Sequence, residues 1–137
     1  MEEYNISDDK TRLDLKLIHH QITNSYWAKG RTFDEVKRSI DNSICYGIYL
    51  DDEQVGFARI VTDLITIAYL MDVFIVEKYR GNGLAKILLK KILNDKRFGS
   101  VKKWMLATKD AHSLYEKFGF KKLKLTGKLM EKINSEE

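Results

Sequence analysis

The chain has 137 residues, 44% hydrophobic and 32% charged, which suits a single domain, spanning 1–137, with a proper core. Its longest apolar runs are far short of a bilayer span, Met1-Glu2-Glu3-Tyr4 is acidic rather than signal-like, and the single Cys45 has no partner for an internal disulfide. We therefore expect a cytoplasmic protein, a monomer or homodimer, that binds neither membrane nor nucleic acid. The net charge of +4 is modest, and the cluster Lys121, Lys122, Lys124 and Lys128 lacks the interleaved aromatics of a single-strand reader. It reads as a solvated face, and a mild positive field would also suit an anionic small molecule.

With no proline in the chain, boundaries are read from glycine, turn residues and periodicity. Tyr4-Asn5-Ile6 reads as a short first strand. Leu13, Leu15, Leu17, Ile18 and Ile22 follow a mainly helical spacing, with Asp9 or Thr11 as the cap. Residues 24–31 read as a loop that holds Tyr26, Trp27, Lys29 and Gly30. Thr32 with Glu35 three residues on is a capping box, and Phe33, Val36 and Ile40 supply the apolar face of the second helix. Ile44 to Leu50, the turn Asp51-Asp52-Glu53 and Gln54 to Thr62 form a hairpin. Ile65 to Val76 is nearly continuous in apolar residues, as in a strand covered on both faces, with Asp72 as its one charge.

Tyr79-Arg80-Gly81-Asn82-Gly83 breaks that run. An amphipathic helix follows, with Leu84, Ile87, Leu88 and Ile92 on one face. Trp104 to Ala107 reads as a short strand and Asp110 to Phe118 as a helix closed by Gly119. Phe120 to Leu125 and Lys128 to Ile133 read as terminal strands. The order predicts an α/β fold, with a mixed sheet of about six or seven strands and helices on both faces.

Arg80-Gly81-Asn82-Gly83-Leu84-Ala85 lies where a strand meets a helix. Two glycines let backbone amides approach a ligand, and the helix start adds unpaired N–H groups, so a pyrophosphate fits. A bare glycine pair is more often just a tight turn. Position 86 is Lys86 rather than the third glycine of a Rossmann fingerprint, and no Gly-Lys-Ser/Thr of a Walker loop occurs. However, Arg80, Gly83 and Ala85, with Gly81 at an optional position, match the pyrophosphate motif of the GNAT superfamily. Leu114-Tyr115-Glu116-Lys117-Phe118-Gly119-Phe120 matches a second element of that family. The two are spaced by one helix and one strand, and the chain resembles the GNAT N-acetyltransferases over roughly residues 54 to 125.

The resemblance implies a fourth strand that splays from the fifth at a bulge, with the pantetheine arm of acetyl-CoA in the gap against the backbone of Val73, Phe74 and Ile75. It implies that Arg80, Gly81, Asn82, Gly83, Leu84, Ala85 and Lys86 hold the pyrophosphate, and that a strand amide near Val73 stabilises the oxyanion. Tyr115 matches the tyrosine that protonates the departing thiolate; outside this context it would read as a core tyrosine. Thr108 stands where the family often has a pantetheine-binding Asn. The implied activity is acetyl transfer to an amine of a small molecule, peptide or protein by direct attack in a ternary complex. A different acyl group, or a silent CoA-binding sensor or interaction module, is the alternative.

The base is less legible. Asp72 is the leading side chain, with a satisfied structural acid as the equal alternative, and Glu77, Asp110 and His112 stand behind it. Tyr26, Trp27 and Arg31, with Arg59 and Asp63, are candidates for the acceptor site. His19, His20 and His112 lack ligand spacing, so no metal is expected, and Cys45 reads as a small buried strand residue.

Overall fold

A computed structural model describes residues 3–24, 30–124 and 126–134. Among these, the chain forms β1 (Tyr4–Ser7), α1 (Leu15–Thr23), α2 (Phe33–Asp41), β2 (Ile44–Leu50), β3 (Glu53–Thr62), β4 (Ile67–Ile75), α3 (Leu84–Leu93), β5 (Lys103–Met105) and α4 (His112–Glu116). The strands make one five-stranded sheet in the order β1-β2-β3-β4-β5. The first four pair antiparallel and β5 joins β4 in parallel.

Adjacent residues of β2 show the two faces. Cys45 packs with Ile18 and Ile22 of α1 and Val36 and Ile40 of α2. Tyr46 packs on the other side with Leu88, Leu89 and Ile92 of α3 and with Tyr115 of α4. Period-two alternation therefore builds both layers at once. A third cluster of Ile48, Val55, Ile75 and Leu84 ties the start of α3 to the sheet.

The capping box of α2 forms as read: Glu35 N–H donates to Thr32 Oγ1 at 3.1 Å, and Thr32 N–H donates to Glu35 Oε1 at 2.9 Å. Helix α1 starts later than its apolar spacing suggested. Asp14 caps it by accepting from Leu17 N–H at 3.0 Å, and Asp9 caps the single turn Lys10–Arg12 before it. On α3 the buried stripe is Leu84, Leu88, Leu89 and Ile92, and Ile87 is 46% exposed. At about 100° per residue Ile87 lies well off the centre of that stripe.

The expected six or seven strands are not found; the described residues hold five. No strand occurs in 120–124 or 126–134, where two were read, and Leu125 lies outside the described residues. Leu123, Leu129, Met130 and Ile133 stay exposed, so this stretch has strand-like composition but no layer to cover it. Helix α4 is also shorter than its sequence pattern, with Gly119 closing the turn after it at φ 93°.

One irregularity positions the site. Ala68 and Leu70 face α3, and strict alternation would turn Asp72 the same way. The β3–β4 register instead shifts between Phe57 and Arg59, leaving Asp72 and Val73 opposite Ala58. This bulge turns Val73 toward α3 and leaves Phe74 on the α1/α2 face. Asp72 sits at φ 55°, a left-handed conformation that Asp accepts more readily than most residues.

Candidate active site

β5 pairs with β4 only over Ile67–Tyr69 against Lys103–Met105, whereas β4 runs on to Ile75. The strands therefore meet at one end and part beyond Tyr69. A cavity of about 320 Å³ fills the opening. Its walls include Met71, Asp72 and Val73 of β4, Leu106, Thr108 and Asp110 after β5, Tyr115 of α4, and Arg31 from the segment before α2. Beyond Tyr69 the edge of β4 that faces this opening has no β5 ladder to pair with.

Beyond the end of β4 lies the glycine turn. Gly81 (φ 85°) and Gly83 (φ 76°) both need the left-handed region, and a Cβ on either would meet no protein atom within 4 Å. Backbone conformation, not crowding by the protein, calls for glycine, and the space above the turn is open to a ligand. Gly83 is the N-cap of the ten-residue α3 and supplies no side-chain cap, so the first-turn amides face that space. Arg80 Nε donates to Ile75 O at 2.9 Å and Asn82 Nδ2 to Tyr79 O at 3.2 Å, which brace the turn from below.

Lys86 on α3 and Lys117 after α4 add positive charge. The Lys86 ammonium lies near enough to push the Lys117 pKa below its ordinary value. Two neighbouring exposed cations suit a shared anion. Lys117 was visible in the sequence as part of the Leu-Tyr-x-Lys-x-Gly-Phe element but had no role assigned to it.

Tyr115 is 8% exposed and stacks edge-on against Phe120, with ring centroids 5.9 Å apart. It lines the cavity between β4 and β5 and also a second hollow of about 450 Å³ walled by β5, α4 and residues 120–123. Thr108 Oγ1 accepts from Ala111 N–H at 3.1 Å, which shapes the approach to α4 and leaves the hydroxyl proton to point elsewhere.

The floor of the cavity is charged. Asp72, with a fully buried side chain, accepts from Arg59 Nε at 2.8 Å and from Arg31 Nη1 at 2.9 and 3.1 Å. The other two nitrogens of Arg59 also have partners: its Nη1 donates to Ser43 Oγ at 3.0 Å and its Nη2 lies 3.5 Å from Met71 Sδ. His19 holds the backbone of Arg31, its Nε2 lying 3.0 Å from Arg31 O.

A family model described as the acetyltransferase (GNAT) domain matches residues 41–122, which takes in the bulged strand, the glycine turn and Tyr115. The chain belongs to the GNAT acetyltransferase family. A crystal structure of a candidate GNAT acetyltransferase from Xanthomonas campestris is 37% identical, covers 97% of this chain and 94% of its own, and superposes with a TM-score of 0.93. A candidate acetyltransferase of Gibberella zeae is 28% identical over 84% of this chain and 77% of its own length. At 17% identity and a TM-score of 0.68, a candidate acetyltransferase structure from Clostridium acetobutylicum, solved with acetyl-CoA, covers 97% of this chain and 96% of its own and shares the fold.

Within this GNAT domain the structure sorts the residues read from sequence. Val73, Thr108, Tyr115, Asp72 and Arg31 come together around one cavity. Phe74 turns its ring into the core, 5.8 Å from Phe57, so a ligand would meet only its backbone. Arg59 is buried beneath the cavity rather than lining it. Asp63 does not line it either: its carboxylate accepts from Thr66 Oγ1 and from the amides of Ile65 and Thr66, which closes the β3–β4 turn and holds its pKa below the usual carboxylate range. Tyr26 and Trp27 lie outside the described residues. Cys45 is buried, and burial pushes its thiol up to about 12, far from a nucleophile's range. The described residues hold no His/Cys/Asp/Glu cluster able to bind a metal, and no helix long and apolar enough to cross a membrane.

Proposed function

We propose that the protein transfers the acetyl group of acetyl-CoA to an amine by direct attack in a ternary complex. The observation that supports this best is the parted β4/β5 pair, which joins an open glycine turn at one end to a cavity holding Tyr115 and bulged strand backbone. A thioester on a long pantetheine arm needs that continuity of anion site, extended slot and reaction chamber.

Acetyl-CoA supplies the thioester carbon that the amine attacks; the C–N bond forms and the C–S bond breaks. Amides of Gly81 to Lys86 hold the pyrophosphate, with Lys86 and Lys117 adding charge. The backbone of Val73 to Ile75 aligns the pantetheine arm, and an amide at the bulge faces the oxygen that gains charge. The Thr108 hydroxyl donates to the arm. Tyr115 gives its phenolic proton to the departing thiolate.

The amine must also lose a proton. Both oxygens of Asp72 accept from guanidinium N–H groups, and protonating it would leave buried Arg59 unbalanced. Asp72 is therefore an organiser, not the base. Asp110 is the other carboxylate lining the cavity and is exposed, so it takes the proton, through water where the gap requires it. Steady-state kinetics with acetyl-CoA and an amine panel test the scheme. Intersecting initial-rate patterns support a ternary complex, and CoA release that does not depend on any amine opposes it.

A further inference from the structure

The cluster on the cavity floor is unbalanced. Arg31 and Arg59 face one carboxylate, Asp72, so the three carry one net positive charge. Arg59 is deeply buried and each of its guanidinium nitrogens already has a protein partner. The surplus therefore falls to Arg31, whose side chain is 25% exposed and lines the cavity. Arg31 reaches Asp72 through Nη1 alone. Among the described residues, no acceptor meets its Nε or Nη2. That Nε–Nη2 edge is the planar two-donor fork that pairs with the two oxygens of a carboxylate.

Arg31 is also held in place. Asp72 fixes its Nη1, Arg59 in turn fixes Asp72, and His19 fixes its backbone carbonyl. A guanidinium that only balanced Asp72 would need none of the spare edge, and a flexible surface arginine would not be braced at both ends. A preformed fork loses little freedom when it binds.

We infer, resting on the acetyl-transfer reading above, that Arg31 binds a carboxylate of the acceptor and that the acceptor is a free amino acid. One net positive charge is neutralised by one carboxylate; a phosphate dianion would bring a second negative charge toward Asp72 and Asp110. The cavity, about 320 Å³, suits a small molecule rather than a protein surface. Asp110 lines the same cavity and offers a carboxylate for the amine end, so the two charges of the chamber match the two charges of a zwitterion.

The test is calorimetric titration of the CoA-saturated protein with N-acetyl-amino acids, each paired with its C-terminal amide, and with an N-acetylated phosphate-bearing amine. Turnover of the parent amino acids is compared in parallel with that of their decarboxylated amines. A carboxylate held by a bidentate arginine predicts that the amides bind about 10- to 100-fold more weakly and that the decarboxylated amines lose a similar factor in kcat/KM. Arg31→Lys keeps the charge but loses the fork, and should erase most of that preference while Asp72 keeps a cationic partner. Arg31→Met should erase all of it. Equal binding of the paired compounds by the wild-type protein, absence of binding by every pair, or tighter binding of the phosphate-bearing compound would overturn the inference while leaving acetyl transfer standing. Failure of CoA itself to bind would overturn the acetyl-transfer reading instead, and this assignment with it.

Discussion

Replacing Asp72 with Asn separates a structural anion from a catalytic base. Asn is nearly isosteric and tolerates the left-handed φ of 55° as Asp does, so the bulge itself gains no strain. What changes is charge. Arg59 is 7% exposed, and its Nε would lose an anionic partner 2.8 Å away in a layer with no other carboxylate bonded to it among the described residues. Removing one member of a buried ion pair typically costs about 3–5 kcal/mol. For a domain of this length, each kcal/mol moves the melting temperature by about 3–4 °C, so Asp72→Asn should lower Tm by about 10 °C or more. Adding Arg59→Met, which removes the stranded charge and keeps an apolar stem, should recover a large part of that loss. Thermal unfolding of the two single variants and the double variant, with and without CoA, measures this. A base role predicts a different result: Tm unchanged in Asp72→Asn, kcat lowered by about 10²-fold, and no rescue by Arg59→Met. That pattern would refute the assignment of Asp72 to the scaffold.

Tyr115→Phe keeps the ring packing against Phe120 and deletes the proton, so kcat should fall by about 10²-fold or more with Tm and acetyl-CoA affinity little changed; near-normal single-turnover rates would remove Tyr115 from the mechanism. Gly83→Ala places a Cβ in space the protein leaves open, at φ 76°, so it should cost only about 1 kcal/mol of stability but weaken acetyl-CoA by about tenfold or more, as titration calorimetry would show. Lys86→Ala and Lys117→Ala should each raise the acetyl-CoA KM at low salt, with the difference shrinking as ionic strength rises. Asp95 accepts from Arg97 and Tyr46, chiefly the former, and its pKa lies below the ordinary carboxylate range. Its contribution is thus complete above the unfolded value of about 4 and is lost as pH falls through the lower folded value. Asp95→Asn should lower Tm at neutral pH and flatten its decline in acid, and a parallel acid limb in both proteins would contradict this.

Much of the chamber was legible in the chain because its parts rest on local chemistry. Gly81 and Gly83 announce positive φ, the Thr32 and Glu35 pair announces a helix start, and the apolar run from Ile65 to Val76 announces a strand, which forms over Ile67–Ile75. What depends on register was not legible. Asp72 lies in phase with Ala68 and Leu70, and only the extra residue opposite Ala58 turns it to Arg59 and Arg31. Its role as an ion-pair hub follows from that turn. The bracing of Arg31 by His19 spans different elements and leaves no periodic trace. At the far end, Lys128 to Ile133 has a strand's composition, but composition does not supply an edge to pair with.

Acetyl transfer in a ternary complex is tested most directly by mixing the protein with acetyl-CoA labelled in the acetyl group and following the label by mass spectrometry, first alone and then with amino acids added. Direct attack in a ternary complex predicts an unlabelled protein in the first case and a labelled N-acetyl-amino acid, with stoichiometric free CoA, in the second. Label held covalently on the protein before any amine is present, or CoA bound with no label ever reaching an amine, would contradict it.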